Sequence, residues 1–221
     1  LAYLGGKMIY DYFSGEEENL CKVYDAESSF VVVKNIAEKI LKEEKYSRYF
    51  ENAVTKNSVN NAIKECAKFC YKNYLALKKS TFKVARTEAS FGDGKDFDYP
   101  AIKLLDGKVK IVGKIDRVDE QGEYYRIMDY KTVSPNADLD LLFTGKKLQL
   151  YLYAAAVDHD KNNPKTLAGI YYMPVSDKFI KEGNKEPALS KGYTLEDPEV
   201  LKMHDIGVLD TCESIFLDVK D

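Results

Sequence analysis

Gly113-Lys-Ile-Asp116-Arg-Val-Asp119 and Ile127-Met-Asp129-Tyr130-Lys131-Thr132 are two strand-like apolar runs that each deliver a carboxylate, with a lysine two residues beyond the second. Successive side chains of a strand point to opposite faces, so Asp129 and Lys131 share one face and Tyr130 takes the other. Residues Lys108 to Val118 read as the preceding strand, and Glu120-Gln121-Gly122-Glu123 reads as a hairpin turn. Pairing the two strands brings Asp116 toward Asp129 and Lys131, which sets two hard oxygen donors and one ammonium around a single point. Mg²⁺ or Mn²⁺ suits such oxygens, keeping several waters and taking phosphate oxygens of a substrate. The lysine then orients an attacking water or offsets charge on a scissile phosphate. This is the minimum equipment of a divalent-metal phosphodiesterase.

Each element alone is ordinary. An aspartate in an Asp-Arg-Val-Asp string is commonly a solvated hairpin charge, and Asp-x-Lys is frequent on exposed strand faces. The combination is more pointed, because Asp129 ends the run Tyr124-Tyr125-Arg126-Ile127-Met128. Its aromatic and apolar content predicts a central strand, where a charge needs a partner or a metal.

These residues resemble the PD-(D/E)XK nucleases, and within them the RecB-like group. Asp116 is similar to the first motif aspartate, Asp129-Tyr130-Lys131 to the (D/E)XK triplet, and Gln149-Leu-Tyr151-Leu-Tyr153 to the following QxxxY helix motif. The likeness continues through Arg86-Thr-Glu88-Ala-Ser-Phe91-Gly92 and Gly192-Tyr-Thr-Leu-Glu-Asp-Pro-Glu-Val-Leu201, covering most of the chain from about Gly5 to Asp205. Those flanks look most like the nuclease domain of a bacterial helicase-nuclease subunit.

The resemblance implies an α/β, restriction-endonuclease-like fold with a central mixed β-sheet flanked by helices. It implies one nuclease domain over residues 1–221, with 1–80 mainly helical and 81–175 forming the catalytic sheet core. Catalysis would fall to Asp116, Asp129, Lys131 and Gln149, with metal held by Asp116, Asp129, the Tyr130 carbonyl and Glu88. Gln149 would steady Lys131 or a phosphate, and Tyr153, Lys146 and Lys147 would contact DNA. The implied activity is Mg- or Mn-dependent exonucleolytic cleavage of DNA, single-stranded and fed by a helicase subunit, in double-strand break repair by recombination. Members of this kind carry an iron-sulfur cluster whose cysteines flank the nuclease domain. No cysteine triplet follows Cys212, so such a cluster belongs only to a full-length parent.

One residue departs from the family pattern. RecB-like nucleases commonly place a metal-binding histidine in the first helix at Gly-x-x-x-His spacing, and here Gly6-Lys-Met-Ile-Tyr10 puts tyrosine in that slot. A neutral phenol is a poor Mg²⁺ ligand, since its pKa is about 10. The competing reading is therefore a degenerate nuclease fold that binds DNA or braces a partner.

Composition bounds the remaining classes. The chain has 221 residues, 45% hydrophobic, enough for one substantial core, and its net charge of −3 is not that of a dedicated DNA-binding protein. Local basic pairs exist at Lys78-Lys79 and Lys146-Lys147. Cys21, Cys66, Cys70 and Cys212 are too scattered for a zinc site, and Cys66 and Cys70, one helical turn apart, read as buried thiols. His159 and His204 stand among polar residues, far from the carboxylates. No signal-peptide pattern or membrane-length apolar run occurs, which leaves a reducing cytoplasmic setting and no membrane partner as the expectation.

Along the chain, helical spacing predicts helices over Leu1 to Phe13, Ser28 to Lys45 and Val59 to Lys79. Strands are predicted over Thr81 to Phe91, Val109 to Val118, Tyr124 to Thr132 and Thr166 to Val175, a helix over Leu139 to Asp158, and a loop over Asp177 to Lys191. Strands separated by a helix suit a mixed sheet with a crossover.

Overall fold

The computed structural model describes residues 2–14, 19, 21–43, 53–132, 144–175 and 188–217. Helices α1 (Ala2–Ser14), α2 (Ala26–Leu41) and α3 (Ala53–Lys79) come first. They are followed by β1 (Lys83–Gly92), β2 (Tyr99–Pro100), β3 (Ile102–Leu104), β4 (Val109–Ile111), β5 (Gly113–Gln121) and β6 (Tyr124–Lys131). Then come α4 (Gln149–Asp158), β7 (Thr166–Pro174), β8 (Lys191–Thr194), α5 (Pro198–His204) and the single turn α6 (Val208–Thr211).

Six strands form one mixed sheet in the order β2-β1-β5-β6-β7-β8, and β3 and β4 pair separately. The β5–β6 hairpin turns through Gly122 and Glu123, with Gln121 opposite Tyr124. Gly122 alone of the two has positive φ, at 56°, which is the type II′ pattern and explains the glycine. From β6 the chain crosses through α4 to β7, which lies parallel to β6, as parallel neighbours require.

The sheet separates two apolar layers. Met128 and Tyr130 of β6 face α1, α2 and α3, whose inward residues include Met8, Tyr12, Val33, Ile63 and Phe69. Val118, Tyr125 and Ile127 pack with Leu150, Ala154 and Val157 of α4 on the other side. Tyr125, Ile127 and Met128 are fully buried. Each such side chain contributes about 1.5–3 kcal/mol relative to exposure, which makes β6 the axis of the fold. The Tyr125 hydroxyl donates to Asp158 Oδ1 at 2.7 Å and pins the end of α4 to that strand. Among the helices, α2 starts at a reciprocal cap: Asp25 Oδ1 accepts the Ser28 N–H at 2.7 Å, and Ser28 Oγ accepts the Asp25 N–H at 3.0 Å.

Several sequence expectations need correction. The single strand over Val109 to Val118 is two, β4 and β5, broken at Val112. β4 follows β3 (Ile102 opposite Ile111), whereas β5 follows β1 (Phe91 opposite Gly113). A Cβ at Gly113 would come within 2.9 Å of the Phe91 ring, so the close approach of β1 and β5 needs this glycine. The helix expected from Leu139 begins at Gln149 among the described residues, after a turn at Thr144 to Lys146, and residues 139–143 lie outside them. The loop expected over Asp177 to Lys191 ends in β8, and its residues up to 187 lie outside the described ones. The sheet therefore extends past residue 175. The short strands β2 and β3 escape a sequence reading because a period of two is invisible over so few residues.

Candidate active site

The ladder between β5 and β6 ends at Arg117 opposite Met128. Continuing that register by one residue sets Asp116 across from Asp129, on the face that looks toward α4. There the ladder gives way to a side chain: Asp116 Oδ2 accepts the Tyr130 N–H at 2.7 Å. The same bond holds the strand end and aims the carboxylate. Lys131, on the same face as Asp129, brings Nζ to 2.5 Å from Asp129 Oδ2. This close ion pair holds the Asp129 charge inside a residue only 1% exposed.

The helix α4 supplies the next residues. Lys131 Nζ donates to Gln149 Oε1 at 2.8 Å, and Gln149 Nε2 donates to the Tyr153 hydroxyl at 2.7 Å, a relay that uses the i, i+4 spacing on one helical face. The Tyr153 ring meets Phe91 of β1 edge-on at 6.1 Å between centroids. Burial, opposed by the Gln149 bond and helped by Asp129, Asp116 and Glu88, raises the Tyr153 hydroxyl to about 12. No side chain caps the first turn of α4. Lys146, Lys147, Gln149 and Tyr172 line a cavity of about 400 Å³ with Lys131, and Lys131 Nζ stands 5.5 Å from the centre of the Tyr172 ring.

The electrostatics set the two carboxylates against each other. Burial first, then the Asp129 charge, raise Asp116 to about 7, with Glu88 adding to the rise and the Tyr130 N–H and Lys131 opposing it. Burial also raises Asp129, against the pull of Lys131. A cation between two such carboxylates would relieve both, which makes Asp116 and Asp129 candidate ligands.

Of the residues singled out in the sequence, Asp116, Asp129, Lys131, Gln149 and Tyr153 converge. Tyr130 turns its ring to α3, edge-on to Phe69 at 5.5 Å, and brings its backbone to the site. Glu88 lies at the margin. Interpolating between the pairs Thr87–Arg117 and Ala89–Ile115 sets it opposite Asp116, but it is exposed, with Lys114 Nζ 3.7 Å from its Oε2. Its backbone is left-handed, φ 51°, a costly state for glutamate and one that clusters at functional sites. Among the described residues no three His, Cys, Asp or Glu side chains converge as a ligand group. Tyr10 makes no hydrogen bond to either aspartate. Lys78, at the far end of α3, sits over the Tyr74 ring at 5.0 Å.

Tyr172 is a site residue that sequence reasoning misses; its signal lies in the register that sets it beside Asp129 in the parallel β6–β7 pair. His204, expected in polar surroundings, is fully buried between Phe82 and Phe216. Asp119 is no hairpin charge: it is 0% exposed and binds two buried arginines. Cys66 and Cys70 are buried, and burial pushes the Cys66 thiol up to about 12 and Cys70 upward as well. Among the described residues, no helix is long and apolar enough to cross a membrane.

Comparison with known proteins agrees with this geometry. The profile of the PD-(D/E)XK nuclease superfamily matches residues 16–211. An ATP-dependent helicase/deoxyribonuclease subunit of Thermoanaerobacter sp. (strain X514) is 31% identical over 216 residues, covering 86% of this chain and 18% of that protein. Proteins of the same name from Clostridium novyi (strain NT) and Clostridioides difficile (strain 630) are 34% and 31% identical, over 58% and 61% of this chain and 13% of each relative. The chain thus spans under a fifth of the length of these relatives. With a profile match over most of its length, a six-stranded mixed sheet and the Asp-x-Lys strand end in place, the chain belongs to the PD-(D/E)XK nuclease superfamily.

Proposed function

We propose that residues 1–221 form one nuclease unit of a helicase-nuclease subunit, hydrolysing DNA phosphodiesters with a divalent cation, Mg²⁺ or Mn²⁺. The observation that carries this reading is the meeting of Asp116, Asp129 and Lys131 at the open end of β6. Asp116 and Asp129, with the Tyr130 carbonyl, are the residues that would hold the cation, and Glu88 stands within electrostatic reach of Asp116. A bound divalent cation would supply Lewis-acid stabilisation of the phosphate and lower the pKa of a water. Lys131 has three N–H donors. Asp129 and Gln149 occupy two directions, which leaves one for a phosphate oxygen or the attacking water. Gln149 and Tyr153 fix the ammonium in place, so Lys131 meets the substrate without reorganising. Lys146 and Lys147, beside an uncapped helix start, favour the flanking backbone phosphates.

The substrate is single-stranded DNA delivered by a helicase partner during double-strand break repair, in the cytoplasm. This part of the reading is supported by the names of the relatives and by the motif likeness. The test is Mn²⁺ binding by calorimetry together with cleavage of labelled single-stranded DNA, wild type against Asp129→Ala. Binding and cleavage that both vanish in the variant support the assignment, and Mn²⁺ affinity unchanged in Asp129→Ala would remove its centre. A second reading, a DNA-binding module that does not cleave, is favoured by Tyr10 and by the convergence of only two carboxylates among the described residues. It predicts DNA binding without Mn²⁺-dependent cleavage.

A further inference from the structure

Behind the strand end that carries Lys131 lies a second cavity, of about 370 Å³, on the side of the sheet away from α4. Its floor is apolar, formed by Ile9, Ala62 and Val175. One side is a polar face of α3, where Ser58, Asn61 and Glu65 recur at helical spacing, and the end of β6, Tyr130, Lys131 and Thr132, completes the lining. The opposite wall is Gly5-Gly6 of α1. Two successive glycines disfavour a helix relative to alanine. Packing gives little reason for them: a Cβ at Gly6 would meet nothing within 4 Å, and one at Gly5 would make only an ordinary contact with Cys66 Sγ at 3.5 Å. The glycines therefore keep open a space that the described protein atoms do not fill.

Chemistry narrows the occupant. Among the described residues of the lining, Glu65 brings a negative charge, and the Lys131 ammonium is turned to the other face by Asp129 and Gln149, so the cavity does not suit a phosphate. A flat body with a hydrogen-bonding edge suits an apolar floor and a wall of hydroxyl, amide and carboxylate, and the volume is that of a small-molecule site. Lys131 borders both this cavity and the one at the candidate active site, so a strand whose phosphate meets Lys131 runs beside this cavity.

We propose that this cavity takes the base of a nucleotide next to the scissile phosphate, with Asn61 and Glu65 bonding its edge and the Gly5-Gly6 backbone against its face. The inference rests on the nuclease reading above. A base can enter only if it is unpaired, so the cavity gives a physical reason for preferring single strands over duplex. It also makes Asn61 and Glu65 the residues that set any base preference at that position.

The test compares short labelled single strands, either unmodified or carrying one abasic residue placed in turn at each position. The full chain is used as wild type, Gly6→Leu and Asn61→Ala. Binding is read by fluorescence anisotropy in Ca²⁺, and Mn²⁺-dependent cleavage is scored separately. In the wild type, an abasic residue at one position weakens binding by about tenfold, the worth of one accommodated base. Gly6→Leu, which fills the cavity at an exposed helical position, lowers affinity for the unmodified strand by a similar factor and makes it indifferent to the abasic residue. Asn61→Ala lowers the discrimination severalfold. Equal binding of all strands by the wild type, a comparison that needs no variant, overturns the proposal, as does full discrimination retained in Gly6→Leu. Cleavage without discrimination leaves the nuclease reading standing and removes the base site. Discrimination without cleavage removes the nuclease reading and with it a base site beside a scissile phosphate, and favours the DNA-binding module.

Discussion

Replacing Asp119 by alanine removes the anion shared by two buried guanidiniums, and the structure sets the size of the effect. Asp119 Oδ1 accepts Arg117 Nε–H at 2.6 Å, and Oδ2 accepts Arg117 Nη2–H at 2.8 Å and Arg126 Nε–H and Nη2–H at 3.0 and 2.9 Å. Both arginines are at most 2% exposed, so the variant strands two cations without their counter-ion. Burial alone would raise the Asp119 carboxyl, yet the two arginines hold it below the usual carboxylate range. Removing one partner of such a group costs about 3–5 kcal/mol. The rings of Phe13 under Arg117 and of Phe82 and Phe216 about Arg126, at 4.4–4.6 Å, retain part of the cation stabilisation, which places the loss near 4 kcal/mol. With a urea slope of about 2.5 kcal/mol per M, the midpoint falls by about 1.5 M. The chain has no tryptophan, so circular dichroism in EDTA is the readout. The exposed Arg86–Asp98 pair is the control, with Asp98→Ala costing under about 1 kcal/mol. A midpoint shift for Asp119→Ala no larger than that of Asp98→Ala would refute the buried cluster.

Lys131→Met should retain Mn²⁺ binding by calorimetry while cleavage falls by about 10²–10³-fold, the worth of one preorganised donor. A variant that cleaves as well as wild type would exclude Lys131 from catalysis. Asp116→Asn keeps an acceptor for the Tyr130 N–H but removes the charge that burial and Asp129 disfavour. Metal-free at pH 8 it should be more stable than wild type by about 1–2 kcal/mol, allowing for solvent at the half-buried carboxyl, and should lose the Mn²⁺-induced rise in Tm. His204 is lowered to about 3 by burial and by Arg126, with the Ala168 carbonyl and Asp119 opposing. The unfolded chain takes up this proton near pH 6.5 and the folded chain does not until about 3. Stability from this group is therefore complete above about pH 6.5 and is lost as pH falls through that window, and His204→Gln should flatten the acid limb of a Tm-against-pH curve. Gly122→Ala, at φ 56° in the β5–β6 turn, should cost about 1 kcal/mol by urea denaturation, with cleavage unchanged.

The site was legible where its geometry is local. Alternation along β6 gave Asp129 and Lys131 a common face, the hairpin between the two strands brought Asp116 opposite although its turn is Gly122-Glu123 and not the four residues from Glu120, and helical spacing joined Gln149 to Tyr153. What escaped depends on long-range contacts. His204 reaches Arg126 across 78 residues, and nothing near it in sequence announces the aromatic cage. The left-handed backbone of Glu88 is a response to pairing with β5, since glutamate has no preference for it. Tyr172 became part of the site through the parallel register of β6 and β7, which no local pattern encodes.

The same alternation that exposes the site also hides the charge cluster, and the two are connected through register. Arg117, Asp119, Arg126 and Met128 share the face opposite Asp116, Asp129 and Lys131, because Asp119 stands across from Arg126 and Arg117 across from Met128. A slip of β6 by one residue would press Arg126 toward the apolar layer of Val118, Leu150 and Val157 and turn Asp129 into the helical layer with no arginine to meet it. Hydrophobic strands alone resist such a slip weakly here, since both faces of β6 are apolar, with Met128 on one and Ile127 on the other. The buried ions make the wrong register expensive. Two like-charged carboxylates at the strand end push against the native arrangement, and the pairing of Asp119 with two arginines a few residues back holds the strands in the one register that brings those carboxylates together. Loosening that lock should therefore appear first at the site. A conservative Asp119→Asn, which keeps an acceptor for one arginine, should weaken Mn²⁺ binding in calorimetry under conditions where circular dichroism still reports a folded chain. Unchanged Mn²⁺ affinity in a measurably destabilised Asp119→Asn would show that the cluster serves stability alone.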